Sequence, residues 1–289
     1  MNDRSKPNTF ARELDVATRA ALAAGAAIMP LYGSGGAVES KLHPDDHAEP
    51  VTAADRLANQ MIVDTLRAEF PADGILAEES DDETDRLGKD RVWMVDPIDG
   101  TSGFIDCNGD FAVQIGLTVA GQSVLGVVFQ PATGVMFSAV TGGGSWVWHH
   151  GGEPLRTLVS TSTDLHQMRL AASRAHRSPR MNRVVQQLGI REEVQRGSVG
   201  VKVGLIVERE CDLYVHLSPR TKLWDTCAPE VILREAGGRL TDLFGKPLRY
   251  DGEHIQNRNG LVATNGVSHE IVIRRLSPLL IEFGRGPAD

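Results

Sequence analysis

Cysteine is scarce in this chain of 289 residues, which has only Cys107, Cys211 and Cys227. The three form no Cys-x-x-Cys pair and leave an odd count. A small protein that depends on disulfides carries an even, densely spaced set of cysteines. We therefore expect reduced, structural thiols and no disulfide framework.

Positive charge is also in short supply, with 30 Lys and Arg against 38 Asp and Glu and a formal net charge of −8. Binding of nucleic acid polymers usually requires basic stripes, so that partner class is disfavoured. No apolar run approaches the roughly 18 residues that cross a bilayer. The first 15 residues lack the charged-then-apolar layout of a signal peptide. We expect no membrane segment and a cytoplasmic location.

The first half of the chain combines helices with a sheet. Hydrophobic residues make up 41% of the sequence, enough for a sizeable core. Helical spacing of apolar residues predicts a helix from Phe10 to Leu31, then a polar loop over 33–50 and a second helix over 51–70. Short strands are predicted at 74–79 and 91–96, and period-two alternation predicts an antiparallel meander over 111–148.

The second half alternates strands with helices. Residues 160–167 are the best boundary, giving an α+β half at 1–160 and an α/β half at 161–289. Helices are predicted near 179–188, from about 199, from about 226 and from Ser268, with short strands between them.

The stretch "WMVDPIDGTSGF" (93–104) carries the first chemical signal. An apolar strand ends in Asp96 and Asp99, and Gly100 permits a sharp turn. The turn would direct both carboxylates and the Ile98 carbonyl toward one point. Thr101 would cap a following short helix, whose N–H groups could seat a phosphate. The alternative is a surface turn with two capping aspartates.

Three further acids belong to this argument. Glu78 ends another predicted strand, the usual place for a site in a layered α/β protein. Asp225 precedes a predicted helix with Pro229 in its first turn, and Asp55 could simply form a capping box with Thr52. If Glu78, Asp96, Asp99 and Asp225 converge, their repulsion requires cations or raised pKa values. Ligands that are all oxygen favour Mg²⁺ over zinc.

These motifs together carry a resemblance to a known family. "DPIDGT", with "EES" upstream and "WDTCAPEVILREAGG" downstream, resembles the inositol monophosphatase superfamily of lithium-sensitive, magnesium-dependent phosphatases. The resemblance covers about residues 14 to 266. It implies a layered αβαβα sandwich, an α/β (α+β) fold that agrees with the two halves described above.

The resemblance also implies roles for the acidic residues. Glu78, Asp96 and the Ile98 carbonyl resemble the ligands of a first Mg²⁺, and Asp96, Asp99 and Asp225 those of a second. Glu78 would help to hold a third ion and counts, with Asp55 and Thr101, among the catalytic residues. Asp55 and Thr101 resemble the pair that orients the attacking water.

Several stretches look more like the 3'(2'),5'-bisphosphate nucleotidase branch of the superfamily, namely "GFIDCNGDFAVQIGL", "ASRAH" and "GSVGVKVGLIVERECDLYVH". The implied substrate contacts are Gly100, Thr101, Ser102, His176, Ser198, Lys202 and Arg220. Two of these residues have another interpretation that involves no substrate: Ser198 could merely cap a helix, and Lys202 could be solvated.

This chain departs from the branch at one position that concerns the substrate. Nucleotidases usually carry a basic residue directly after "DGT", where this chain has Ser102 and Gly103. Arg220 could supply the missing charge or could be merely exposed.

The function implied is hydrolysis of the 3'-phosphate of adenosine 3',5'-bisphosphate, a small-molecule phosphate monoester, by a monomer or homodimer. An inositol- or sugar-phosphate phosphatase is the nearest alternative. A non-catalytic nucleotide-binding regulator is a distant one.

Overall fold

The computed structural model describes residues 9–35, 37–42, 48–81, 84–174 and 178–288. Within them the helices are α1 (Ala11–Ile28), α2 (Ala53–Glu69), α3 (Thr101–Ile105), α4 (Pro179–Leu188), α5 (Val199–Val207), α6 (Leu223–Glu235) and α7 (His269–Glu282). The strands are β1 (Val38–Leu42), β2 (Ala48–Thr52), β3 (Gly74–Ala77), β4 (Arg91–Asp99), β5 (Ala112–Val119), β6 (Gln122–Gln130), β7 (Val135–Val140), β8 (Gly144–His149), β9 (Leu155–Thr157), β10 (Arg169–Ser173), β11 (Glu192–Arg196), β12 (Leu213–His216), β13 (Arg239–Thr241) and β14 (Leu261–Thr264).

The elements stack in alternating helical and sheet layers. Helices α1 and α2 pack on one face of a seven-stranded sheet with the order β3 to β9. Helices α5 and α6 lie between that sheet and a five-stranded one with the order β11-β10-β12-β14-β13. Helices α4 and α7 cover the outer face of the second sheet. The layered αβαβα sandwich expected from the sequence is confirmed.

The two sheets fall on either side of the predicted boundary, since β9 ends at Thr157 and β10 begins at Arg169. However, one buried cluster joins side chains of both, including Val128 and Phe137 from the first sheet and Tyr214 from the second. The division into halves at 160 and 161 therefore stays a prediction.

Helix α1 is more apolar than the sequence pattern suggested. With the 3₁₀ turn that follows it, Ala11–Leu31 is long and apolar enough by length and composition to cross a membrane, with a mean hydropathy of 1.3. Its alanine-rich face, which includes Ala17, Ala21 and Ala24, is buried against the first sheet and α2. That packing accounts for the apolar content of the helix without a membrane.

The prediction of a polar loop over 33–50 is wrong for part of that stretch. Val38–Leu42 and Ala48–Thr52 form the antiparallel strands β1 and β2, in which Val38 pairs with Thr52 and Ser40 with Pro50. These strands are short and mostly polar, so they lack the apolar alternation that identifies a strand from sequence. The other predicted helices and strands named above are present, with ends that differ by a few residues.

The ends of β3 and β4 place the carboxylates. These strands are parallel, with Ala77 beside Val95, so Glu78 leaves the sheet next to Asp96. The pairing of β4 with β5 shifts between Asp96 and Asp99, because the chain inserts one extra residue there. Side chains three apart on a regular strand point to opposite faces, and a bulge of this kind brings them to the same side.

His269 is a buried histidine far from these strand ends in sequence. Its side chain is fully inaccessible to solvent, and its Nε2 and Nδ1 lie 2.9 and 3.0 Å from the Thr241 and Thr264 hydroxyls. Burial lowers the pKa of His269 from its ordinary 6.5 to about 4. The ring is therefore neutral in the folded protein.

We expect this burial to make folding sensitive to acid. Between about pH 6.5 and 4 the unfolded chain binds a proton at His269 that the folded chain does not, so the free energy of unfolding falls as the pH falls. Denaturant unfolding of wild type and His269→Gln from pH 8 to 4 measures the effect. The variant should be less stable at pH 7 and lose less on acidification. His166→Gln, at an exposed histidine, is the control, and an unchanged pH slope in His269→Gln would contradict this account.

Candidate active site

The turn after β4 is built on Gly100. This residue has φ 97°, in the left-handed region, and a Cβ there would lie 2.5 Å from the Asp110 carbonyl oxygen. Only glycine satisfies both constraints. Gly100 is also the N-cap of α3, so the prediction that Thr101 caps this helix is wrong. Thr101 is instead the first helical residue, and its hydroxyl is turned toward Asp55.

A cavity of about 360 Å³ opens at this turn. Most of the side chains and turn residues that the sequence proposed line it together: Glu78, Asp96, Ile98, Asp99, Gly100, Thr101, Ser102, Ser198, Lys202, Arg220 and Asp225. Asp55 lies behind Thr101, which it contacts. His176 lies outside the described residues. The carboxylates come from β3, β4 and α6, so residues distant in sequence meet at one place.

Glu78 and Asp96 form the most strongly perturbed part of the cavity wall. Burial and the nearby carboxylates, Asp225 among them, raise the pKa of Glu78 well above its ordinary value. Burial, followed by the charges of Glu78, Asp99 and Asp225, does the same for the pKa of Asp96. Asp96 Oδ1 is buried without a hydrogen-bond partner in the described chain. Such an oxygen is costly to bury unless something else satisfies it.

Asp99 is held differently, by three donors, one from β5 and two from the start of α5. Its Oδ2 accepts hydrogen bonds from Gln114 Nε2 at 2.5 Å, Ser198 Oγ at 2.5 Å and the Gly200 N–H at 2.8 Å. Burial still raises the pKa of Asp99, because desolvation outweighs these bonds. The donors fix the carboxylate rigidly at the N-terminus of α5.

Lys202 supplies a buried positive charge beside Asp99. It is 4% exposed, so the interpretation of it as a solvated side chain is wrong. Burial lowers the pKa of Lys202 to about 8, against the opposing effect of Asp99, Asp110 and Asp225. Its Nζ lies 4.7 Å from the centre of the Tyr214 ring, a cation–π contact that helps a desolvated ammonium.

Asp55 makes the contacts that both of its predicted roles require. Its Oδ2 accepts from the Thr52 N–H at 2.8 Å, and the Thr52 side chain accepts from the backbone, which completes a capping box. Its Oδ1 accepts from the Thr101 hydroxyl at 3.1 Å. Burial raises the pKa of Asp55 despite these hydrogen bonds. A helix cap therefore also fixes a polar pair beside the cavity.

Asp225 lies inside the first turn of α6, not before the helix as expected. The helix begins at Leu223, and Asp225 Oδ2 accepts from the Lys222 N–H at 2.8 Å. Pro229 is consequently within the helix rather than in its first turn. Because proline has no N–H, the Asp225 carbonyl lacks its usual helical donor.

Comparisons with known proteins agree with this geometry. The model of the inositol monophosphatase family matches residues 11–279. The chain belongs to the inositol monophosphatase family. The 3'(2'),5'-bisphosphate nucleotidase CysQ of Escherichia coli K12 is 36% identical over 82% of this chain and 93% of that protein.

Two further proteins of the family are also similar to this chain. A histidinol-phosphatase of Mycobacterium tuberculosis is 32% identical over 84% of this chain and 90% of its own. The crystal structure of CysQ from Bacteroides thetaiotaomicron is 30% identical, with a TM-score of 0.75 over 89% of this chain and 98% of that one. The family and the fold are thus established, while the relatives carry more than one substrate name.

The donor atoms of the cavity wall are of the kind that bind the metal ions implied by the family. Their positions do not form a complete ligand set among the described residues. In the part of the chain that the structure describes, no three His, Cys, Asp or Glu side chains are already arranged as the ligand set of one ion. The donors nevertheless suit hard cations, because they are carboxylate and carbonyl oxygens. The unpartnered Asp96 Oδ1 and the raised pKa values of Glu78 and Asp96 indicate missing positive charge.

Sequence reasoning missed four residues of this region. Gln114 faces Asp96 across the β4–β5 ladder and donates to Asp99. Tyr214 lies under Lys202, and its hydroxyl is buried without a partner in the described chain. Asp110 and Arg174 form an ion pair at the cavity rim. Two signals were available: the polar Gln114 within an otherwise apolar strand, and the stretches resembling the nucleotidase branch, which contain all four residues.

We expect Gly100→Ala to destabilise the protein strongly. An alanine in the left-handed region costs about 1–2 kcal/mol, and its Cβ would also clash with the Asp110 carbonyl. Gly142→Ala is the matched control, since Gly142 has φ 77° but no atom within 4 Å of the position that an alanine methyl group would take. Denaturant unfolding of both variants separates strain from clash. Equal losses of stability would contradict the close approach described for Gly100.

Proposed function

We propose that this protein is a Mg²⁺-dependent phosphomonoesterase that removes the 3'-phosphate of adenosine 3',5'-bisphosphate. The observation that carries the proposal is the meeting of Glu78, Asp96, Asp99 and Asp225 on one cavity wall. Its support for this substrate comes from the 36% identity to a protein named as a bisphosphate nucleotidase. Cytoplasmic location, inhibition by lithium and a monomeric or homodimeric state belong to the same proposal, as does the absence of nucleic acid polymers and membranes among its partners.

The carboxylates and the Ile98 carbonyl would hold two to three Mg²⁺ ions. Bound Mg²⁺ would supply Lewis-acid stabilisation of the phosphoryl oxygens and lower the pKa of a coordinated water. Glu78, Asp96 and Ile98 would serve one ion, and Asp96, Asp99 and Asp225 another. Asp96 belongs to both sets, in keeping with its unpartnered Oδ1.

Thr101 and Asp55 would orient the attacking water. The Thr101 hydroxyl donates to Asp55 Oδ1, and the Ile98 carbonyl lies 3.2 Å from the same hydroxyl. With its proton directed away, the Thr101 oxygen can accept a hydrogen bond from a water in the cavity. That water's lone pair is then free to face phosphorus. Asp55 is well suited to draw the proton, since burial raises the pKa of its carboxyl group.

The start of α3 would bind the transferring phosphoryl group. The Gly103 and Phe104 N–H groups donate to the Gly100 carbonyl, at 2.7 and 3.2 Å. The N–H groups of Thr101 and Ser102 have no acceptor among the described residues and sit at the cavity wall. Fixed N–H donors of this kind stabilise charge that develops on phosphoryl oxygens. Ser198, Lys202 and Arg220 would contact the remainder of the substrate.

A substrate panel tests the proposal directly. Phosphate release is measured with Mg²⁺ for adenosine 3',5'-bisphosphate, inositol 1-phosphate and histidinol phosphate. We expect the highest kcat/KM for the nucleotide, loss of turnover on chelation and inhibition by Li⁺. Faster turnover of inositol 1-phosphate or histidinol phosphate would overturn the nucleotidase assignment while leaving a phosphatase of this family.

Metal binding can be measured apart from activity. At an Mg²⁺ concentration about 100 times Kd, binding should stabilise the fold by about 2.7 kcal/mol, a rise in Tm of about 5–10 °C. Asp96→Asn should abolish that rise. Without Mg²⁺ the variant should be at least as stable as wild type, because it removes one of several buried like charges.

Asp64→Asn, on the exposed face of α2, is the matched control for this measurement. It should keep the full Mg²⁺-dependent rise in Tm. A rise of wild-type size in Asp96→Asn would remove Asp96 from the metal site.

A further inference from the structure

Arg174 lies at the rim of the cavity, directly after β10, and its side chain is held in place. Its Nε donates to Asp110 Oδ2 at 2.8 Å, and its Nη2 lies 3.3 Å from the Gln195 carbonyl. The guanidinium is 44% exposed, whereas the Asp110 carboxylate is 6% exposed. The described part of the chain gives Nη1 no acceptor. Arg174 therefore has an anchored edge and a donor left for a ligand.

A short hydrogen-bond path connects Arg174 to the carboxylate cluster. Asp110 Oδ2 also accepts from the Gly197 N–H at 2.9 Å. The next residue, Ser198, donates to Asp99. The buried Asp110 carboxylate thus accepts hydrogen bonds from both the Arg174 side chain and the backbone just before α5. The distance between Arg174 and the carboxylate cluster is fixed by this path rather than by a flexible loop.

The nucleotidase branch usually carries a basic residue directly after "DGT", where this chain has Ser102, and the next residue, Gly103, has no room for a side chain. A Cβ at Gly103 would lie 2.5 Å from the Asp110 carbonyl oxygen and 3.0 Å from Asn108 Oδ1. Lys202 cannot serve at the rim, because it is buried beside Asp99. Among the residues that the structure describes, Arg174 and Arg220 are the arginines that line the cavity.

We infer that Arg174 is the specificity-determining residue that contacts the second phosphate of a bisphosphorylated substrate, and that Asp110 positions it. The inference rests on the proposed function and names a residue for it. A planar guanidinium suits a phosphate because it presents paired donors. The Asp110 contact occupies Nε and the Gln195 carbonyl lies beside Nη2, so Nη1 is the donor without an acceptor among the described residues. The scissile phosphate would lie at the carboxylates and the second one at the rim.

The test compares two nucleotides that differ only in the second phosphate. We measure kcat/KM with Mg²⁺ for adenosine 3',5'-bisphosphate and for adenosine 3'-monophosphate. In Arg174→Gln the ratio of the two values should fall about tenfold or more, mainly through KM for the bisphosphate. Asp110→Asn should lower the same ratio by a smaller factor, because it removes the charge that anchors Arg174.

Arg196→Gln is the matched control. Arg196 Nε also faces Asp110, at 3.7 Å, and its side chain is similarly exposed at 39%, but it does not line the cavity. In this variant the ratio of kcat/KM for the bisphosphate to kcat/KM for the monophosphate should stay within about twofold of the wild-type ratio. Arg220→Gln tests the alternative that Arg220, which also lines the cavity, contacts the second phosphate.

Several results would overturn the inference. The first is an unchanged kcat/KM ratio in Arg174→Gln, and the second is an equal fall of that ratio in Arg196→Gln. The third is a fall of the ratio in Arg220→Gln alone. The fourth is an equal fall of kcat/KM for both nucleotides in Arg174→Gln, which indicates a structural role. A wild type that prefers neither nucleotide would also refute second-phosphate recognition but keep the phosphatase. A wild type that hydrolyses neither nucleotide would refute the proposed function itself.

Discussion

The repulsion among buried carboxylates is the constraint on which the site depends. Burial and the charge of Asp225 raise the pKa of both Glu78 and Asp96, and Glu78 also raises the pKa of Asp96. Two unit charges about 4 Å apart repel by about 4 kcal/mol at an effective dielectric of about 20. The surrounding layers must therefore hold these groups together against their own charge. The apolar strands β3 and β4, buried between helices on both faces, supply that stability.

The carboxylates are not equivalent, and the difference follows from their donors. Asp99 is satisfied by Ser198, Gly200 and Gln114 and lies beside the Lys202 ammonium. Asp96 retains a buried oxygen without a partner in the described chain. The hydrogen bonds to Asp99 fix the position of its carboxylate, whereas the unpartnered oxygen of Asp96 can still bind a cation. The site therefore has one carboxylate that is held rigidly and one that is available to a ligand.

Apolar periodicity, a local signal, predicted most of the helices and strands, and the resemblance to the family supplied the layered arrangement. Sequence reasoning failed where tertiary contacts decided the outcome. The β1–β2 hairpin has little apolar alternation, so the stretch resembled a loop. Asp225 was placed before α6 because Pro229 suggested a first turn, yet the helix begins earlier and tolerates the proline. Thr101 looked like a cap, but Gly100 takes that position and frees the Thr101 hydroxyl for Asp55.

What the sequence determined by itself is the identity of the acidic side chains and the strands or helices that carry them, since residue types and periodicity are properties of short segments. Only the tertiary structure decided that a bulge in β4 turns Asp96 and Asp99 to one side and that Lys202 is buried rather than solvated. It alone paired Asp110 with Arg174. Contacts between residues tens of positions apart depend on how layers pack, and no local pattern records that packing.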